Sequence, residues 1–236
     1  MPEQVLRRAM SELPKTEFVQ AYGQTEAGPV LTMLPARDHL LDGPTAGRVR
    51  SAGRPIACVD LEIRDEHDRP LPPGEIGEIC ARGPNLMSGY RNLPEVTEET
   101  LRGGWLHTGD GAYMDERGYV FIVDRMKDVI VSGAENVYSA ETENALYQHP
   151  AVAECAVIGI PHDTWGEQVH AVVRLKPDTS ATADELIAHC HELIAGYKCP
   201  RSIDFRDEPL PLSGAGKILK RALRAPFWEG QSRKVH

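Results

Sequence analysis

The chain is predicted to be α+β, with a β-rich region up to about residue 124 and a smaller mixed α+β region from 125 to its end at residue 236. Three observations carry that expectation. Val59-Asp60-Leu61-Glu62-Ile63-Arg64 alternates apolar with charged residues, the mark of a half-buried strand. Further apolar runs follow at close spacing, separated by Gly and Pro, as far as Val123. Beyond Asp124, Thr182-Ala183-Asp184-Glu185 forms a capping box, which opens a helix.

In chain order, the polar stretch Asp65–Pro70 reads as a turn after the first strand. Leu71-Pro72-Pro73-Gly74 then leads into a strand over Ile76–Ala81. Glu116-Arg117-Gly118 is a second turn, feeding a strand over Tyr119–Val123. Short strands at this spacing suggest a small barrel or a curled sheet. The character changes at Asp124–Lys127, where we place the domain boundary. A strand over Val129–Val131, a glycine loop and a helix from Ser139 follow. Two longer strands come next, Val152–Ile160 and Val169–Leu175, the second with Val169, Ala171, Val173 and Leu175 on one face. In the capped helix, Leu186, Ile187, Cys190, Leu193 and Ile194 fall at helical spacing as one apolar stripe. Strands and helices mixed over about a hundred residues make a compact α+β domain.

Composition excludes several classes. With 35 acidic and 26 basic residues the net charge is −9, which argues against nucleic-acid binding. No apolar stretch is long enough to span a bilayer, and neither terminus carries a leader or address, so a cytoplasmic protein is expected. The five cysteines, Cys58, Cys80, Cys155, Cys190 and Cys199, show no C-x-x-C spacing. The histidines form no ligand cluster along the chain. Both facts argue against a structural zinc or a disulfide framework.

Five stretches carry candidate chemistry. Tyr22-Gly23-Gln24-Thr25-Glu26 combines a flat ring for a base, a glycine that lets a ligand approach the backbone, a hydroxyl for a phosphate oxygen and a carboxylate for magnesium. Trp105-Leu106-His107-Thr108-Gly109-Asp110 ends in an aspartate that can accept two hydrogen bonds from a ribose diol. An Asx-turn or a helix cap is the commoner fate of such a residue. Asp124-Arg125-Met126-Lys127-Asp128 is a charge run of the kind found on solvated faces and linkers. Ser132-Gly133-Ala134-Glu135-Asn136 fits a plain hairpin loop equally well. Ser213-Gly214-Ala215-Gly216-Lys217-Ile218 is a glycine arm with a lysine near its tip.

Taken together and in this order, the five stretches resemble the adenylate-forming (AMP-binding) superfamily, and its acyl-CoA synthetases in particular. Gly83-Pro84 to Gly89-Tyr90, Trp165-Gly166-Glu167 and Tyr197-Lys198-Cys199-Pro200 are similar as well. The resemblance covers nearly the whole chain. It implies the β-rich end of a large adenylation domain followed by a small mobile C-terminal domain. It also implies a two-step reaction: a carboxylic acid, expected to be a fatty acid, attacks ATP to give an acyl-adenylate and pyrophosphate, and coenzyme A then takes the acyl group.

By the same resemblance Tyr22, Gly23 and Gln24 line the adenine and acyl pocket, Thr25 contacts phosphate, and Glu26 binds Mg2+. Asp110 holds the ribose hydroxyls with Arg125 beside it, and Ile122 belongs to the nucleotide site. Lys217 reaches the α-phosphate and the substrate carboxylate, with Thr25 and Glu26 as its catalytic partners. Lys127 is the hinge, and Ser132, Gly133 and Ala134 border the coenzyme A channel.

Two departures from the family pattern follow. The Ser/Thr/Gly-rich phosphate loop precedes the Tyr-Gly-x-Thr-Glu motif in this family, and residues 1–21 contain no such loop. The N-terminal part of the large domain is thus expected to be missing, and this chain alone to be inactive. Ala134 stands where these enzymes usually carry a second glycine. That methyl group bears on the thioester step, and it motivates transfer to a carrier protein as the alternative to coenzyme A.

Overall fold

A computed structural model describes residues 3–214 and 216–230. Ala215, within the glycine arm, and the C-terminal residues 231–236 lie outside the described residues. The chain divides into two units between Met126 and Lys127. The sequence places this division two residues earlier. Arg125 stays with the first unit because the last strand of that unit runs through it and pairs it with Asp110.

The first unit opens with helix α1 (Glu3–Glu12), followed by a three-stranded antiparallel sheet of β1 (Gln20–Tyr22), β2 (Thr32–Leu34) and β3 (Arg54–Pro55). A second sheet is a four-stranded antiparallel meander of β4 (Asp60–Arg64), β5 (Gly77–Arg82), β6 (Leu106–Met114) and β7 (Val120–Arg125). The short helix α2 (Pro94–Thr100) lies between β5 and β6 and begins with proline, whose missing N–H costs nothing at that position. The strands do not close into the small barrel, one of the two forms expected. Their order β4-β5-β6-β7 leaves two ends, so the sheet is open.

Aspartates make both turns of this sheet. Asp65 Oδ1 accepts from the backbone N–H groups of His67 and Arg69, and Asp115 Oδ1 accepts from those of Arg117 and Tyr119. Each side chain thus stands in for a backbone acceptor and reverses the chain. Alternation then sets the faces: Ile63, Ile79, Ala112 and Val120 form one buried cluster. The register shifts between Glu78 and Cys80 and again between Gly111 and Ala112. Both irregularities lie beside Asp110.

The second unit starts with the hairpin β8 (Ile130–Ser132) and β9 (Glu135–Val137), followed by helix α3 (Ser139–Tyr147). A long hairpin follows, β10 (Val152–His162) with β11 (Gly166–Leu175), then helix α4 (Ala183–Leu193), strand β12 (Ser202–Phe205) and helix α5 (Lys220–Arg224). The sheet order is β10-β11-β8-β9, with β12 parallel to β11. Period-2 alternation divides its two faces. Val157, Val169, Ala171 and Val173 pack with Leu146 of α3 and Leu186 and Cys190 of α4. Ala156, Ile158 and Val172 face the other way, toward Leu210 and Leu223. Thr182 and Glu185 form the expected capping box at the start of α4. The apolar stripe of α4 is shorter than expected, because Leu193 at its last position is 44% exposed.

Among the described residues no helix is long and apolar enough to cross a membrane.

Candidate functional site

The first unit brings three of the expected residues together, two of them by strand register. Tyr22 ends β1, and its hydroxyl donates to Asp110 Oδ2 at 2.8 Å. Arg125, directly across the ladder on β7, places its guanidinium Nε 3.5 Å from Asp110 Oδ1. Both carboxylate oxygens of Asp110 are therefore engaged, one by a phenol and one by a cation. Burial, reinforced by the neighbouring carboxylate, pushes the Tyr22 phenol well above its ordinary pKa. It stays protonated and remains a donor.

Asp110 is neither an Asx-turn nor a helix cap. It lies within β6, fixed from its own backbone outward. Thr108 Oγ1 donates to the Ile79 carbonyl at 2.8 Å and accepts from the Asp110 N–H at 3.1 Å. The Gly109 N–H donates to Glu78 Oε1 at 2.8 Å.

The Tyr22–Glu26 stretch turns sharply after β1. A Cβ at Gly23 would lie 2.0 Å from the Pro29 carbonyl oxygen, so only glycine lets the two backbone segments pass. Thr25–Ala27 forms one 3-10 turn, with Gln24 extended before it. Glu26 Oε1 accepts from the Tyr90 hydroxyl at 2.7 Å. Asn85 Nδ2 donates to the carbonyls of Ala27 at 2.6 Å and Val30 at 3.2 Å, tying the loop down. Sequence reasoning noted the Gly83–Tyr90 stretch but did not assign Asn85 and Tyr90 as its anchors; they lie 58 and 64 residues from their partners. Ile122, on β7, and Tyr22 both border a pocket of about 400 Å³, which His39 and Phe18 also line.

The other expected residues are carried by the second unit. Ser132-Gly133-Ala134 is the turn of the β8–β9 hairpin. Gly133 has φ +70 and its N–H donates to the Trp165 carbonyl at 2.8 Å. Trp165 stacks on His162 with ring centroids 4.2 Å apart, and the Arg201 guanidinium carbon lies 3.6 Å from the Trp165 ring centroid. Among the described residues, those other than glycine with positive φ are Asp68, Asn92 and Asp178. Ala134 is not one of them, so its methyl group forces no unusual backbone angle. It stands on an exposed turn.

Lys217 is exposed in a tight loop closed by a bridge between Leu212 and Ile218. Its N–H donates to Ser213 Oγ at 3.1 Å, and its carbonyl accepts from the Ser213 N–H at 2.7 Å. Lys127 lies in the short turn Met126–Asp128, at the division between the units.

Fold and ordered motifs define the class. Residues 1–91 match the family model described as AMP-binding enzyme, and residues 141–217 match that of the AMP-binding enzyme C-terminal domain. The chain is 48% identical over 210 residues to a feruloyl-CoA synthase of Amycolatopsis, covering 89% of this chain and 41% of that protein. It is 44% identical over 220 residues to ScoC of Streptomyces coeruleorubidus, a fatty acid–[acyl-carrier-protein] ligase, covering 93% and 42%. The solved o-succinylbenzoate CoA synthetase MenE of Bacillus subtilis, in complex with its acyl-adenylate intermediate, superposes with a TM-score of 0.84. That match has 34% identity and covers 94% of this chain and 43% of MenE. The chain belongs to the adenylate-forming, AMP-binding superfamily. It spans less than half the length of these relatives.

Proposed function

We propose that the chain is the C-terminal portion of an ATP-dependent carboxylate–CoA ligase, acting in the cytoplasm where ATP and coenzyme A are supplied. The observation that carries this reading is the Tyr22–Asp110–Arg125 cluster, which stands at the motif positions of a family whose related members include CoA synthetases. Asp110 accepts from the ribose hydroxyls, and the Arg125 side chain beside it keeps its carboxylate aimed. Tyr22, Gly23 and Gln24 present a flat, closely approachable wall to the base, with Ile122 beside it. Thr25 offers its hydroxyl to phosphate. Glu26, oriented through one oxygen by Tyr90, is the residue that would hold Mg2+, whose charge offsets that of the phosphates.

In the first step the substrate carboxylate attacks the α-phosphorus and pyrophosphate leaves. Negative charge gathers where the two anions meet, and the Lys217 ammonium stabilises it. In the second step the coenzyme A thiol displaces AMP, entering past Ser132, Gly133 and Ala134. Rotation about Lys127 between the two steps would present first the lysine and then the hairpin turn. Among the related proteins are a feruloyl-CoA synthase and a fatty acid ligase, and the acyl group we propose is a largely apolar carboxylic acid, a fatty acid in the first instance.

Pyrophosphate exchange and thioester formation by the full-length enzyme test this reading. Acid-dependent exchange followed by CoA thioester is the expected result. Absence of exchange with every aliphatic and aromatic acid tried would contradict it. A second reading, transfer to a carrier protein, is favoured by the identity to ScoC and by Ala134. Acyl-AMP that accumulates with coenzyme A but is consumed by a carrier protein would select it.

A further inference from the structure

One cluster in the first unit is left over by this function. Glu78 and Cys80 share a face of β5, and His107 lies directly opposite Cys80 on β6. His107 Nδ1 stands 2.9 Å from Glu78 Oε2 and 3.3 Å from Cys80 Sγ, and the ligand atoms of all three residues lie within 4.8 Å of one another. The cluster is largely buried: Cys80 is fully buried, and the His107 and Glu78 side chains are 4% and 18% exposed.

Protons alone serve this arrangement poorly. If Nδ1 carries hydrogen, it donates to Glu78 and leaves the sulfur with at most a shared contact. If Nδ1 is bare, it can accept from the thiol but then sets a lone pair against the Glu78 carboxylate. Three electron-pair donors thus face one another within 4.8 Å, an arrangement that a single cation can serve. In a tetrahedral zinc site, ligand atoms stand roughly 3.4 Å apart. The observed separations are within a few tenths of an ångström of this for Nδ1 with Sγ, and about half an ångström short for Nδ1 with the carboxylate.

We propose that Glu78, Cys80 and His107 form a site for one thiophilic divalent cation of the Zn2+ type. The cation takes Cys80 Sγ, His107 Nδ1 and a Glu78 oxygen as ligands, and the thiol proton is released to solvent. A sulfur, an imidazole and a carboxylate together suit zinc and disfavour magnesium, which demands oxygen ligands. This keeps the site distinct from the Mg2+ position at Glu26.

The surroundings fit this assignment. His107 Nε2 is buried and has no hydrogen-bond partner, yet Asp68 Oδ1 lies 3.7 Å away. A carboxylate behind the second ring nitrogen is the usual support of a metal-bound histidine. The other oxygen of Glu78 is already held by the Gly109 N–H. Arg102 opposes a cation, but its main bonds go to Asp68 at 3.2 and 3.3 Å, and its contact to Glu78 is longer at 3.5 Å. Burial, with the Glu78 charge next in effect, pushes the Cys80 thiol up to about 12. A bound metal supplies the charge that makes the thiolate form at neutral pH. Such a clamp would join β5 to β6 three residues before Asp110.

Titration of the chelator-stripped chain with Co2+ and Zn2+ tests the proposal without reference to ligase activity. We expect one equivalent of Co2+ to raise a near-ultraviolet sulfur-to-cobalt charge-transfer band. Cys80→Ser loses that band and Cys190→Ser keeps it. Asp68→Asn weakens the affinity about 10-fold or more. Zn2+ displaces Co2+ and raises the melting temperature of the parent chain but not that of Cys80→Ser. His107→Ala loses Co2+ binding; should it fail to fold, Glu78→Gln with intact secondary structure takes its place and binds Co2+ more weakly than the parent. Cobalt bound without the sulfur band, or a band that survives in Cys80→Ser, would overturn the proposal and leave an ordinary histidine–carboxylate hydrogen bond.

Discussion

Asp110 and Lys217 are built on opposite plans. The carboxylate is held by a tyrosine 88 residues away, by an arginine across the strand ladder and by a threonine and a glutamate that fix its backbone. The lysine rests on hydrogen bonds to Ser213, four residues distant, and its side chain is exposed. A group that must bind the same atoms throughout a reaction gains from being fixed in advance, since ordering it then costs nothing at binding. A group needed for one step gains from a support that can be withdrawn.

The contrast can be broken from the first unit outward. Gly23→Ala should destabilise that unit by about 3 kcal/mol, because the added methyl meets backbone oxygen rather than a side chain that can move aside. Urea unfolding that shows less than a third of this loss would mean the loop adapts freely. Tyr22→Phe removes one donor from a carboxylate that is 14% exposed. A loss of about 2 kcal/mol in nucleotide binding or in first-unit stability is expected, measured by calorimetry.

Changes in the second unit away from Lys217 should be smaller and should leave the nucleotide alone. Thr182→Ala deletes the cap of α4. It should lower the stability of that unit by about 1 kcal/mol while nucleotide affinity is unchanged. The smallest expected effect concerns pH. His170 is buried, with Ser202 Oγ 2.7 Å from its Nδ1, and burial lowers its pKa despite the Asp204 charge nearby. Because the folded value lies below the unfolded one, the unfolded chain takes up the proton first. Stability is full above about pH 6.5 and falls as the pH drops through the folded value. Melting curves between neutral and mildly acid pH should show this slope, and His170→Gln should flatten it.

Much of the fold could be read from local pattern. The strands 60–64, 77–82 and 120–125, the Thr182 cap and the change of character before Lys127 all rest on residues close in sequence. The features that were not legible are relations between distant residues. Strand β12 slots in parallel beside β11, which no local periodicity announces. The open sheet, in place of a barrel, depends on which strands pair. Within the site, the motif residues were visible one by one, but Tyr90 and Asn85 emerged as supports only once the chain had folded. The cysteine and histidine spacings along the chain show no ligand pair. Such spacings count along the chain, whereas Cys80 and His107 meet across a ladder 27 residues apart. Ala134 shows the reverse case: it departs from the family pattern in sequence, yet the left-handed residue of the turn is Gly133.

The proposed division of labour between a fixed carboxylate and a delivered lysine is tested most directly by separating rate from affinity in the full-length enzyme. Lys217→Ala should slow acid-dependent pyrophosphate exchange by about 100-fold or more while the dissociation constant for ATP stays within a few-fold of the parent value. Asp110→Asn should do the opposite, weakening ATP binding before it slows the bound-state step. A Lys217→Ala enzyme that loses affinity as much as rate, or that exchanges pyrophosphate at the parent rate, would contradict the account.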